Sequence, residues 1–388
     1  MNRFLRGSVA LAVSATLAAL LAACGGGGAD TTTQASISKL RVMGDSLADG
    51  GTFGIKFTIQ GNDIYPERIS QQYGLGKGCN FFSFTGTTFV PNSKAGCTNY
   101  AIGGGVINPA SGALTTGDPR TISVQIATAT AAGNFSDSDL LLVDGGGNDA
   151  AALVTAYLGA TTPTGQQAYL TLLGTQLTSA QVQAAAAGGA AGFATAGGQY
   201  MAALANTFYD QLKAGALDKG AKRLAILNMP GITNTPRFQM VLDSIAAASG
   251  GGTAGATARS QSEALFKGWV VAFNSQLATR AAGDSRVAIA DFYTVFNEQV
   301  ANPAQFGLTD AKRAACPVAG VGSDGLPTYN FATCTDAALA ALTPPSGATG
   351  GANWYKTWTF SDGFHPSAYG HQLLSQLIAR TLAQAGWL

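Results

Sequence analysis

The sequence predicts an α/β fold, a three-layer α/β/α sandwich around a parallel sheet. Three observations carry that expectation. Five apolar runs of strand length recur along the chain, at 40–44, 98–102, 140–144, 224–228 and 287–291. Their hydrophobicity is continuous rather than alternating, which suits parallel strands covered on both faces. Between them lie stretches of helical length and spacing at 66–73, 150–157, 199–214 and 260–281, with a last one from about 366 to 385. Strand, helix, strand, repeated without a linker or composition break, predicts a single domain over residues 39–388.

Ahead of that domain, residues 1–23 read as a secretory signal. Arg3 and Arg6 give a positive start, and the alanine-rich apolar stretch behind them is too short to favour a stable span. Its end, Leu21-Ala22-Ala23-Cys24, resembles a bacterial lipobox, which implies cleavage before Cys24 and lipidation of that thiol. The alternative is an ordinary signal peptidase site with Cys24 incidental. Gly25, where an aspartate would retain the protein at the inner membrane, implies the outer membrane if the cell has one. Residues 24–38 then form a Gly/Thr/Ser tether, spanning roughly 20 Å as a flexible coil. The expectation is an exported monomer, lipid-anchored at the cell envelope or secreted.

Two stretches inside the domain depart from the repeat. Residues 176–198 are a low-complexity Ala/Gly run, expected as a helix with a flexible end. Residues 303–357 are rich in Pro and Gly and carry Trp354 and Tyr355. They read as an insertion that is either a surface loop or a wall or lid for a substrate. Four cysteines, Cys79, Cys97, Cys316 and Cys334, form two evenly spaced neighbouring pairs in a chain expected to be exported, where disulfides persist. Local pairing, Cys79 with Cys97 and Cys316 with Cys334, is favoured among three connectivities. A zinc site is the alternative, though no CxxC spacing occurs.

Composition narrows the chemistry. The chain has 388 residues with 22 basic against 21 acidic side chains, so it carries no electrostatic footprint for nucleic acid. It has two histidines, His365 and His371, which excludes a multi-histidine metal site. The Gly145-x-Gly147-x-x-Ala150 spacing matches a dinucleotide fingerprint formally, but no acidic residue lies between Asp149 and Asp210 to meet a ribose about 20 positions on.

The chemistry-bearing residues fall where the apolar runs end. The first run delivers Gly44-Asp45-Ser46-Leu47, the second Gly103-Gly104-Gly105, the third Gly145-Gly146-Gly147-Asn148-Asp149. In a parallel sheet these tips share one edge, where ligands bind. Ahead of the last helix comes Asp362-Gly363-Phe364-His365. Alone, Gly-Asp-Ser also reads as a solvated turn. Together the four blocks supply the parts of acyl transfer: a serine, an imidazole to take its proton, a carboxylate to orient the imidazole, and donors for an oxyanion. Asp45 reads as a helix cap or turn acceptor, Asp149 as a loop-holding residue, and His371 as a packing or surface residue on the last helix.

These four blocks, in this order, resemble the GDSL or SGNH esterase/lipase hydrolases. Tyr65-Pro66-Glu67-Arg68, Asn228-Met229-Pro230-Gly231, Phe273-Asn274, Asp291-Phe292-Tyr293 and Asn302-Pro303 are similar to the branch holding plant GDSL lipases and bacterial secreted esterases. The resemblance implies a flavodoxin-like sandwich of five parallel strands, without cofactor or metal. It implies Ser46 as nucleophile, His365 as base and Asp362 as its orienting carboxylate. The oxyanion hole would be Ser46 N–H, Asn148 and a glycine, either Gly104 or Gly103. The expected activity is hydrolysis of carboxylic esters, of a lipid or a small acyl ester, through an acyl-enzyme. Removal of O-acetyl groups from a carbohydrate or cell-envelope polymer is one alternative. A catalytically idle lipoprotein that binds lipid or glycan is the other.

Overall fold

In the computed structural model, which describes residues 35–131 and 133–388, four of the five apolar runs pair as an all-parallel sheet. The leader expected over 1–23, Cys24 and the tether up to residue 34 lie outside the described residues. Strands β1 (Lys39–Met43), β4 (Asp139–Val143), β5 (Leu224–Leu227) and β6 (Val287–Ala290) lie side by side in that order. A short antiparallel hairpin, β2 (Phe82–Phe84) and β3 (Phe89–Pro91), intervenes in the chain. The register sets Met43 opposite Val143 and Val143 opposite Ile226, so the carboxyl ends are flush and Gly44 lies beside Asp144.

The fifth expected strand, 98–102, is a correction. It runs along the outer edge of β1, with Val42 N–H donating to Thr98 O, Tyr100 N–H to Val42 O and Ile102 N–H to Gly44 O, yet its pairing is limited to isolated parallel bridges, Asn99 with Val42 on one side and with Asn80 on the other. The next ladder bond would come from Gly44 N–H, but that donor goes instead to the Gln125 side-chain oxygen at 2.7 Å. Counting this edge segment, the spatial order is that of a flavodoxin-like sheet.

Eleven helices are described: α1 (Tyr65–Gln72), α2 (Ile122–Ala131), α3 (Gly147–Gly159), α4 (Pro163–Leu173), α5 (Ser179–Ala187), α6 (Gly189–Gly215), α7 (Pro236–Ala248), α8 (Gly252–Ala281), α9 (Phe292–Ala301), α10 (Asp336–Ala340) and α11 (Ala368–Gln384). Met43, Leu141, Val143, Leu224 and Ile226 share one core with Phe208 of α6 and Phe273 of α8. Helices α1 and α11 pack together, with α11 also against β5 and β6. The Ala/Gly run at 176–198 forms α5 and the start of α6. Small residues are needed there, because a Cβ on Gly197 would lie 2.2 Å from the Trp269 indole of α8.

Residues 303–357 fold into a subsidiary body. Strand β7 (Asp310–Ala314) pairs in parallel with β10 (Trp358–Phe360), and β8 (Val318–Val321) with β9 (Pro327–Tyr329) makes a hairpin. Its core gathers Cys316, Phe331, Cys334, Leu339, Trp354 and Trp358 around Ile59, from the loop that follows Ser46. Disulfides join Cys79 to Cys97 and Cys316 to Cys334. Each closes a loop whose chain entropy is worth about 3 kcal/mol. Non-reducing peptide maps should therefore show these two linked pairs, and reduction should lower the melting temperature. Crossed pairs, or four free thiols at these positions, would contradict the assignment.

Candidate active site

The site begins where β1 ends. Gly44 is clamped at both peptide groups by Gln125, a fully buried residue of α2: its Oε1 accepts from Gly44 N–H at 2.7 Å and its Nε2 donates to Gly44 O at 3.0 Å. A glycine is required because Asp144 fills the space beside it, and a Cβ would fall 2.2 Å from its Oδ1. Asp144 Oδ1 in turn accepts from Asp45 N–H at 2.8 Å. Asp45 acts as a local acceptor, taking Leu47 N–H at 3.0 Å. Ser46 thus sits on a single tight turn. No helix follows until Tyr65, so the turn leads from strand into loop.

A second carboxylate ties this turn to the second glycine block. Asp49, fully buried, accepts from Gly51 and Thr52 N–H, from Asn80 Nδ2 at 2.7 Å, and from Gly103 N–H at 2.8 Å. The N–H of Gly103 is therefore committed to Asp49, and that of Gly105 to Ile102 O. Gly104, exposed between them, has an N–H without an acceptor among the described residues, as has Ser46.

The third block opens α3. Asn148 Nδ2 donates to Gly105 O at 2.8 Å, which fixes the amide plane and leaves its second N–H unused. Asp149 holds the same loop from below, its two oxygens taking Ile107 and Asn108 N–H at 2.9 Å each. Burial pushes its carboxyl up to about 6.

The fourth block brings the imidazole. His365 Nε2 lies 2.8 Å from Ser46 Oγ, and its Nδ1 lies 2.9 and 3.0 Å from the two oxygens of Asp362. Asp362 Oδ1 also accepts from the N–H of Phe364 and His365, so the same carboxylate shapes the turn and holds the ring. Burial alone would depress the imidazole, but the Asp362 charge and hydrogen bond outweigh it and raise His365 above its ordinary value. In Asp362, burial is likewise outweighed by His365 and the backbone donors, and the carboxyl stays below its ordinary value. Phe57 lies 5.1 Å from the imidazole and Phe331 of the insertion 5.6 Å. The insertion therefore walls the site.

His371, by contrast, lies on α11 with none of its surface exposed. It accepts from Tyr65 N–H at 3.3 Å, and burial depresses it to about 3, so it is a neutral packing group and not a surface one. Tyr65 OH donates to Asp144 Oδ2 at 2.5 Å. Burial raises the Asp144 carboxyl to about 6. Asp45 is pushed well above the ordinary value by burial and by the Asp144 charge.

Beside Ser46 opens a cleft of about 140 Å³, walled by Leu47, Leu227, Met229, Ile232 and Phe364. Its far wall is fixed by Asn274, whose amide brackets Met229 with two hydrogen bonds, and by Asn228, which bonds Asp291. Sequence reasoning quoted these asparagines only as resemblances. Tyr65 stands with them, while Gln125, Asp49 and Asp144 were missed, their one signal being a polar residue at a position the fold buries.

No curated protein matches the chain. Among solved structures, it is similar to the crystal structure of phospholipase A1 from Streptomyces albidoflavus NA297, at 14% identity and a TM-score of 0.40, covering 88% of this chain and 98% of that one. The family model for GDSL-like Lipase/Acylhydrolase matches residues 40–378, from the first strand through most of the last helix. On that match the chain belongs to the GDSL-like lipase/acylhydrolases, a family of ester-hydrolysing enzymes.

Proposed function

We propose that this protein hydrolyses carboxylic esters through an acyl-enzyme on Ser46. The observation that carries the reading is the unbroken hydrogen-bonded line from Ser46 Oγ through His365 to Asp362. His365 Nε2 takes the serine proton as Oγ attacks the ester carbonyl. Asp362 stays ionised, holding Nδ1–H and stabilising the imidazolium. The oxyanion is met by the N–H of Ser46, the N–H of Gly104 and the free amide N–H of Asn148. Gly104 is preferred to Gly103 because the latter's N–H is spent on Asp49. Collapse breaks the ester C–O bond, and the leaving oxygen takes the proton from Nε2. Water then gives a proton to His365 as it attacks the acyl-enzyme, and the bond to Ser46 Oγ breaks as Nε2 returns that proton to the serine and the acid leaves. The mostly aliphatic walls of the cleft favour an apolar acyl group.

Export and a lipid anchor at Cys24 are part of the same proposal, resting on the Leu21-Ala22-Ala23-Cys24 sequence. The enzyme purified from its native cells should partition into detergent and carry acyl chains on Cys24, at least two for stable attachment. A mature form that begins at another residue would count against it.

Ser46→Ala and His365→Ala should each lower kcat by roughly 10⁴-fold or more, and the double variant should be scarcely worse. Asn148→Ala should cost on the order of 10²–10³ in kcat with little change in KM. Catalysis needs the neutral imidazole, and Asp362 raises its pKa. The acidic limb of kcat/KM should therefore bend above pH 6.5 and move to lower pH in Asp362→Asn. A limb at or below the ordinary histidine value, or one unmoved by the substitution, would contradict this.

A further inference from the structure

A cleft of about 140 Å³ is the size that holds one benzene-like group, enough for an ester function and the first few carbons of its acyl chain. The cleft is not closed. Two of its walls, Ala151 and Phe364, are shared with a second cavity of about 510 Å³. This larger groove lies between α3 and α7. Val154 and Leu158 line one side and Val241 and Ile245 the other. Its outer wall comes from the insertion, where Asp324 and Leu326 stand at the tip of the β8–β9 hairpin.

Arg237, the second residue of α7, joins these parts. Its guanidinium pairs with Asp324 and stands over the Phe364 ring at 5.8 Å. Its backbone N–H donates to Gly363 O at 3.0 Å, two residues before His365. The hairpin tip is thus fastened to the same turn that carries the imidazole. The fastening also pairs Arg237, the one cation of the groove wall among the described residues, with a carboxylate.

We propose that this groove is the acyl site of the enzyme. It takes the distal part of a long, unbranched acyl chain whose carbonyl is held at Ser46, with the β8–β9 hairpin as its outer wall. The inference rests on the reading of Ser46 as nucleophile. It adds the substrate class: long-chain acyl esters in preference to acetyl or butyryl esters. An acyl chain leaving the cleft at Ala151 and Phe364 meets an apolar trough on one side and bulk water on the other. Transfer of each methylene into the trough favours binding by up to about fourfold.

The test compares kcat/KM for p-nitrophenyl butyrate and p-nitrophenyl dodecanoate, below micellar concentrations, in the full-length enzyme and two variants. Val241→Trp fills the groove from α7. Leu326→Asp places a charge on the hairpin wall, outside the main core, where it does not threaten the fold. The wild type should favour the dodecanoate by at least about tenfold, since eight further methylenes are partly buried. Each variant should cut that ratio about tenfold or more, with melting curves reporting intact folding. Equal turnover or a preference for butyrate in the wild type overturns the groove while leaving the hydrolase reading in place. An unchanged ratio in Val241→Trp also overturns it. An unchanged ratio in Leu326→Asp removes the hairpin from the site. Turnover of neither ester by the wild type overturns the Ser46 reading and the groove with it.

Discussion

The contact between Asp144 and the Gly44–Asp45 peptide is the constraint on which the site depends. Strands β1 and β4 end flush, so the two chains turn away from the sheet side by side. The Asp144 carboxylate occupies the space a side chain at residue 44 would need, and takes the N–H that precedes Ser46. Gln125 holds the same glycine from α2, and Tyr65 holds the carboxylate from α1. Layers on both faces of the sheet thereby fix one peptide. The cost is a carboxyl removed from water and raised to about 6, beside a second one in Asp45. The hydrogen bonds it accepts partly offset that cost, and they hold the serine turn to a single geometry.

The same logic extends outward. Asp49 couples the serine turn to the Gly103 loop, and Asp149 couples that loop to the helix that carries Asn148. Two buried carboxylates therefore set the spacing between the unused N–H groups. The insertion at 303–357, which composition left open as ornament or wall, contributes Phe331 to the imidazole's surroundings. Its disulfide binds Cys316, at the end of β7, to Cys334, whose carbonyl accepts from Gln60 N–H in the loop beyond Ser46. The staple thus ties the insertion to the loop that follows Ser46.

The residues proposed to carry the chemistry stood out in the sequence because they sit in irregular segments between regular ones. Ser46, Asn148, Asp362 and His365 each follow or precede a clear apolar run or helix, and rarity alone narrowed the imidazole to two residues. The supporting residues were not legible. Gln125 sits inside a Thr/Ala-rich helix and Asp49 in a loop of ordinary composition, and only tertiary packing buries them. The proposed preference for Gly104 over Gly103 rests on where one N–H points, which spacing does not encode. Helices α2, α4, α7, α9 and α10 lie outside the expected helical stretches, although Thr162-Pro163, Thr235-Pro236 and Asp291 cap α4, α7 and α9. The segment at 98–102 has the apolar content of a strand, but its ladder with β1 stops where Gly44 N–H turns to Gln125.

The central claim is that Ser46, and no other residue, is the activated nucleophile. A fluorophosphonate probe forms a stable bond only with a serine whose proton is taken by a neighbouring base. Labelling the enzyme and mapping the modified peptide by mass should place one adduct on Ser46. The label should be lost in Ser46→Ala and strongly slowed in His365→Ala. An adduct on another residue, or undiminished labelling in Ser46→Ala, would contradict the account.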